Sequence, residues 1–244
     1  MVEFGLIGKN IDYSFSRQYF NEKFKRKNLT STYVNFDIED ITQFPIILQQ
    51  NKNLKGMNVT IPYKETILPY LDVLSSEAKS IGAVNTIKVT KQGQLIGFNT
   101  DFYGFQKALQ PFLHNLSKTA LILGTGGASK AIEYALQQWD FKYKKVSRTP
   151  EQDEISYEDL DKETIQSHMV IINTTPLGTY PNVDTYPILP YQFLTKKHLL
   201  FDLTYNPEQT RFLKLGMQYH TKICNGLPML IEQAEQAWKI WLEK

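Results

Sequence analysis

Thr119-Ala-Leu-Ile-Leu-Gly-Thr-Gly-Gly-Ala-Ser129 is the stretch that decides the fold of this chain. Residues 119–123 are an unbroken apolar run of strand length, closed by glycine, and read as a buried strand. A helical pattern follows from Lys130 to Trp139. The junction is G-x-G-x-x-S, a variant of the dinucleotide fingerprint in the strand-to-helix context that gives the pattern meaning. Gly124 permits the tight turn, and Gly126 lets backbone approach a pyrophosphate. Ser129, in place of a third glycine, is small enough for close packing of helix on strand. The helix start, with Gly127 and Ala128, offers N–H groups to phosphate oxygens.

Working towards the C-terminus, a strand over 143–147 ends in Ser147-Arg148-Thr149. An NAD site usually carries an acid here for the ribose 2′-hydroxyl. Arg148, flanked by two hydroxyls, instead suits a 2′-phosphate, so NADP(H) is the better match. The alternatives are a surface arginine, and NAD served by Glu151 or Asp153. Strands over 169–173, 199–203 and 221–224, with a helix over 208–216, continue a parallel α/β unit. The loop Asn173 to Gly178 lies beside the nucleotide turn, which makes Thr174 a further cofactor candidate. Gly226, where Asn225-Gly226 breaks the chain, is another. A last helix over 227–242 carries Leu227, Leu230, Ile231, Ala234 and Trp238 at helical spacing, a packing face. Gln233 stands near that face, as a core-edge amide or a ligand contact.

The first hundred residues repeat strand, helix, strand, helix, strand, which predicts a mostly parallel sheet with loops gathered at its carboxyl ends. Strands are expected over 4–7 and 32–37, and helices over 16–27 and 40–50. The third strand lies in Lys55-Gly-Met-Asn-Val-Thr-Ile-Pro-Tyr-Lys64. Met57, Val59 and Ile61 share one face, and Asn58 and Thr60 the other. Pro62 cannot donate to a sheet and suits a first helical turn, so a helix is expected to begin there. Lys64 would then sit at the positive end of a helix dipole, which lowers its pKa and suits a lysine that handles protons. The alternative is a solvated lysine at a turn. Ser14 and Ser16 stand at the start of the first helix, as an N-cap or as hydroxyls for a polyhydroxylated ligand. A short helix capped by Ser75 or Ser76 ends at Gly82. Strands over 84–90 and 94–99 then form a hairpin around Gly93. Asp101 opens a helix over 101–109, as a simple cap or as a functional carboxylate.

Composition narrows the classes. At 244 residues with 42% hydrophobic and 21% charged content, a packed globular chain of one or two domains is expected. Net charge is +2, and the basic run Lys23 to Lys27 reads as the solvated face of a helix rather than a nucleic-acid site. One cysteine excludes an internal disulfide, and four scattered histidines suggest no metal site. No apolar run approaches membrane-spanning length, so a soluble cytoplasmic protein is expected.

With these residues assembled, the chain resembles the shikimate dehydrogenase family almost end to end. Asn58-Val-Thr-Ile-Pro-Tyr-Lys64, Gly82-Ala-Val-Asn85-Thr86 and Gly97-Phe-Asn-Thr-Asp101-Phe-Tyr-Gly104 carry the likeness, with the nucleotide loop and Asn173 to Gly178. The resemblance implies a substrate domain over 1–100 and 226–244, a Rossmann-type NADP domain over 101–225, and a substrate cleft between them. It implies Lys64 and Asp101 as the catalytic pair. It assigns Ser14, Ser16, Asn58, Thr60, Asn85, Tyr205 and Gln233 to the substrate. The implied reaction is reversible reduction of 3-dehydroshikimate by NADPH, by a monomer or homodimer. Two rivals remain at this stage, an NAD-using quinate/shikimate dehydrogenase and a ligand-binding relative without turnover. Two positions depart from the family pattern: Arg17 stands where it commonly has proline, and Ser147 where it often has asparagine.

Overall fold

The computed structural model describes residues 2–12 and 14–243. It contains two compact units, one from the N-terminus to Thr100 together with Ala234 onward, the other from Asp101 to Gln233.

The first unit holds β1 (Val2–Gly8), α1 (Phe15–Arg26), β2 (Ser31–Asp37), α2 (Phe44–Gln50), β3 (Leu54–Val59), β4 (Val73–Leu74), α3 (Ser76–Ile81), β5 (Thr86–Val89) and β6 (Leu95–Phe98). Their sheet runs β2-β1-β3-β5-β6-β4. β2, β1 and β3 are parallel, whereas β3-β5-β6 is an antiparallel run folded through the hairpin at Gly93. Alternation sends Ile7, Met57 and Val59 into one core with Phe44, Ile67 and Val84. It sends Phe4, Leu6 and Tyr33 into an aromatic core with Phe20, Trp238 and Trp241. Phe4 stacks on Trp241 with ring centroids 4.9 Å apart. Large apolar rings of this kind contribute much of the stability of a small unit.

The second unit holds α4 (Asp101–Leu109), β7 (Thr119–Leu123), α5 (Gly127–Gln137), β8 (Lys142–Ser147), β9 (Glu154–Ser156), α6 (Lys162–Ser167), β10 (Val170–Asn173), β11 (Leu199–Asp202), α7 (Arg211–Met217) and β12 (Lys222–Cys224). Its strands are all parallel, in the order β12-β11-β10-β7-β8-β9. Strand order therefore reverses between β7 and β10. Carboxyl strand ends at such a switch point form a ready crevice for ligands in open α/β sheets. The last helix, α8 (Leu227–Leu242), gives Met229 to a core of the second unit and Ala234, Trp238 and Trp241 to the first.

Four expectations fail locally. No helix starts at Pro62: residues 61–67 are turns, followed by a 3₁₀ turn at Leu68–Tyr70. The Lys64 carbonyl accepts from Val84 N at 2.8 Å, so it is unavailable to a helical ladder, and Leu68 N turns to Glu65 instead. Without a helix there is no dipole at Lys64, and the argument built on one falls. Ile61 is 63% exposed, because β3 stops at Val59 and its inward alternation ends there. Lys23, expected on a solvated face, is 5% exposed and paired with Glu235. The helix expected over 40–50 is a 3₁₀ turn capped by Asp40, then α2. β4, β9 and α6 were not foreseen.

Candidate functional site

In the first unit two of the sequence-nominated residues, Asn58 and Asn85, meet in one buried run of hydrogen bonds. The Tyr33 phenol donates to Asn58 Oδ1 at 2.8 Å. Asn58 Nδ2 donates to Asn85 O (3.2 Å) and Thr86 Oγ1 (3.1 Å). Thr86 Oγ1 donates to Asn85 Oδ1 at 3.1 Å, which also accepts from Thr100 N at 2.7 Å. Asn85 Nδ2 reaches Thr100 Oγ1 at 3.0 Å. Ser16, Asn58, Asn85, Thr86 and Thr100 are all buried. Buried amides tolerate such a position only when their donors and acceptors are matched, as here.

Thr60 follows β3, its N–H bonded to Ile7 O at 2.9 Å. Lys64 is half-buried four residues on. Ser14 is the N-cap of α1 and accepts from Arg17 N at 3.3 Å. A proline at 17 would have no N–H to give, so Arg17 makes this cap, and its guanidinium also donates to Asp12 O at 2.9 Å. Asp37 steadies the preceding loop by accepting from Asn10 N and Ile11 N, both at 2.9 Å.

In the second unit, Asp101 is the buried first residue of α4. One turn on, Gly104 meets α8 so closely that a Cβ there would lie 2.5 Å from Met229 O and 3.0 Å from Gln233 Cβ. Buried Gln233 is thereby packed onto α4, with Nε2 donating to Leu230 O at 2.9 Å. Tyr205 is half-buried in the loop after β11.

The nucleotide candidates follow the carboxyl ends of strands in the second sheet. Gly124 has φ +103°, a conformation side-chain-bearing residues rarely adopt, and a Cβ would press on Thr175 and Thr174. Gly126 caps α5 without a side-chain bond, and a Cβ there would meet nothing within 4 Å. Backbone N–H groups of Gly127 and Ala128 open the helix at this place. That open space at a helix start suits a pyrophosphate, so the residues present fit a dinucleotide. Ser129 is fully buried and donates to Gly126 O at 2.7 Å. Thr174 ties its loop to β7 by donating from Oγ1 to Leu123 O at 2.7 Å. At the end of β8, buried Ser147 accepts from Thr149 N at 3.2 Å, and Arg148 and Thr149 are exposed. Glu154 is occupied by Lys145 at 3.2 Å. Gly226 is pressed on Leu203, whose carbonyl would lie 2.0 Å from a Cβ, and this alone accounts for a glycine there.

Behind this end of the sheet lies a buried carboxylate that sequence reasoning did not single out. Asp202 accepts from Asn173 Nδ2 (3.0 Å), Thr204 N (3.0 Å) and Thr210 Oγ1 (2.6 Å). Asn173 in turn accepts from Thr175 Oγ1 at 2.6 Å. Burial pushes the Asp202 carboxyl up to about 6, against the pull of its three donors. Tyr33, Thr86 and Thr100 were likewise not singled out, although Thr86 and Thr100 adjoin Asn85 and Asp101 in the motifs quoted above. Among the described residues no group of three or more His, Cys, Asp or Glu is placed to hold a metal ion. Among them, too, no helix is long and apolar enough to cross a membrane.

Comparison with known proteins agrees with these assignments of fold. The family described as the shikimate dehydrogenase substrate binding domain matches residues 6–87. An NADP(+) shikimate dehydrogenase of Clostridium beijerinckii is 39% identical over 252 residues, covering 100% of this chain and 93% of the relative. One from Methanococcus maripaludis is 38% identical, covering 98% and 91%. The crystal structure of the Thermus thermophilus shikimate 5-dehydrogenase in complex with NADP(H) and shikimate is 30% identical. It superposes with a TM-score of 0.87, covering 99% of this chain and 94% of that one.

Proposed function

We propose a division of labour for this chain, which belongs to the shikimate dehydrogenase family: the second unit binds NADP(H), and substrate recognition falls mainly to residues of the first, joined by Tyr205 and Gln233 of the second. The reaction is the reversible reduction of 3-dehydroshikimate to shikimate by NADPH, a step of aromatic amino-acid biosynthesis. NADPH, when bound, supplies the hydride that goes to C3. Gly124, Gly126, Gly127 and Ala128 are the proposed pyrophosphate contacts. Ser147, Arg148 and Thr149 take the 2′-phosphate, and Thr174 and Gly226 border the cofactor. An exposed arginine at the end of β8, flanked by Ser147 and Thr149 rather than by an acid, supports the choice of NADP(H).

Lys64 acts as general acid in reduction, giving a proton to the oxygen on C3 as negative charge develops there. It takes that proton back in the oxidation of shikimate. Asp101 is the second member of the catalytic pair. Ser14, Ser16, Asn58, Thr60, Asn85, Tyr205 and Gln233 are the proposed substrate contacts. Hydroxyls suit a carboxylate, and amides suit ring hydroxyls, which both donate and accept.

One observation carries this reading. Asn58 and Asn85, nominated from separate segments, share one hydrogen-bonded run that ends at Thr100, the residue before Asp101. The working compartment proposed is the cytoplasm. The working state proposed is a monomer or homodimer, which sedimentation equilibrium measures. The function is tested by NADPH consumption with 3-dehydroshikimate, with 3-dehydroquinate as control. Turnover of the first alone is expected. Equal turnover of both, or equal use of NADH, would favour a quinate/shikimate enzyme, and no turnover a binding relative.

A further inference from the structure

Tyr33 stands on β2, its phenol bonded to Asn58 of β3, and the mechanism above makes no use of it. Its side chain is 2% exposed. The ring stacks on Phe20 with centroids 4.8 Å apart and lies against Trp241. The phenol has one hydrogen and gives it to Asn58 Oδ1 at 2.8 Å. Burial holds the phenol well above its ordinary pKa, so the hydrogen stays on the oxygen at working pH.

The amide of Asn58 has only one way to lie. Its Nδ2 faces the Asn85 carbonyl at 3.2 Å and Thr86 Oγ1 at 3.1 Å. A backbone carbonyl only accepts, so Nδ2 belongs on that side and Oδ1 on the side of the phenol. Without the phenol hydrogen, Oδ1 would be buried with no donor from β2. Tyr33 belongs to β2 and Asn58 to β3, so the phenol fixes the amide from outside its own strand.

We propose that Tyr33 is a positioning residue for substrate recognition: its buried hydroxyl locks the Asn58 amide into a single orientation without itself touching the substrate. The inference rests on the reading that Asn58 contacts the substrate.

Tyr33→Phe keeps the ring and its stacking and removes the hydroxyl alone. Its KM for shikimate is expected to rise about tenfold, the size of one buried hydrogen bond, with kcat changed far less and KM for NADP+ unchanged. On an Asn58→Ala background the same substitution is expected to cost much less, because its effect passes through Asn58. Tyr33→Met, which removes the hydroxyl with different packing, is expected to raise the same constant. An unchanged shikimate KM in Tyr33→Phe, with only a lower Tm, overturns the proposal and leaves a packing role. Equal rises for shikimate and NADP+ also overturn it, as a general loosening. Asn58→Ala separates the levels. If it leaves shikimate KM unchanged, the contact reading itself fails. If it raises KM and Tyr33→Phe does not, only the positioning role fails.

Discussion

The two units each bury a polar network, and the two networks are chemically unlike. In the first unit, Tyr33, Asn58, Asn85, Thr86 and Thr100 are joined through hydroxyls and amides alone. In the second, Asn173, Thr204 and Thr210 converge on the carboxylate of Asp202. The neutral run has nothing that titrates at ordinary pH, so its geometry is the same wherever the protein works. The carboxylate only accepts, which forces every neighbour to donate and orients the Asn173 amide uniquely. That orientation carries a burial cost which varies with pH. A neutral network beside the proposed substrate contacts, and a charged one behind the nucleotide turn, therefore predict different sensitivities for the two halves.

The largest effect belongs to the first unit. Lys64→Ala is expected to lower kcat by roughly 10²–10⁴, the usual worth of a positioned general acid. Steady-state kinetics with shikimate and NADP+ read it. Full turnover with only a raised KM would reduce Lys64 to a binding group.

The charged network is tested by pH. The folded carboxyl of Asp202, near 6, lies above its ordinary value of 3.8. The folded state thus binds more protons than the unfolded between these values. The contribution of Asp202 to stability is full below the lower value and is lost as pH rises through the upper. Asp202→Asn does not titrate, so its stability relative to the parent should improve between pH 4 and 7, by up to about 3 kcal/mol. Denaturant unfolding of both proteins at the two pH values measures this, and a pH-independent difference would contradict it. Asn58→Ala, within the neutral run, is expected to show no such trend.

Arg148→Asp is expected to weaken NADPH relative to NADH by about 1.5–3 kcal/mol, one charge-assisted hydrogen bond. Equal losses for the two cofactors would remove Arg148 from the 2′-phosphate site. Ser14→Ala is the smallest. Loss of an N-cap costs about 1 kcal/mol of stability. A drop in Tm with unchanged shikimate KM would leave Ser14 a cap and nothing more.

The same contrast explains what was legible in the sequence. β7, with its glycine turn, and α4 and α8 were readable to the residue, because apolar runs, glycines and helical spacing are local signals. The segment after Pro62 was not, because Val84, twenty residues on, takes the Lys64 carbonyl. Lys23 sits in a basic run whose composition favours solvent, yet it is buried by Glu235 and Trp238 from the far end of the chain. In the candidate site the side chains proposed to face a ligand lie in recognisable motifs. Those that hold them, Tyr33 above all, are ordinary residues of ordinary strands, and only the register of β2, β1 and β3 brings them into use.

The central claim, NADPH-linked reduction at C3, is tested most directly by following the hydride. The protein is incubated with 3-dehydroshikimate and NADPH carrying deuterium at the transferable position, and the product is identified. Shikimate bearing deuterium on C3 is the predicted result. Unlabelled shikimate, or NADPH consumed without shikimate, would contradict it.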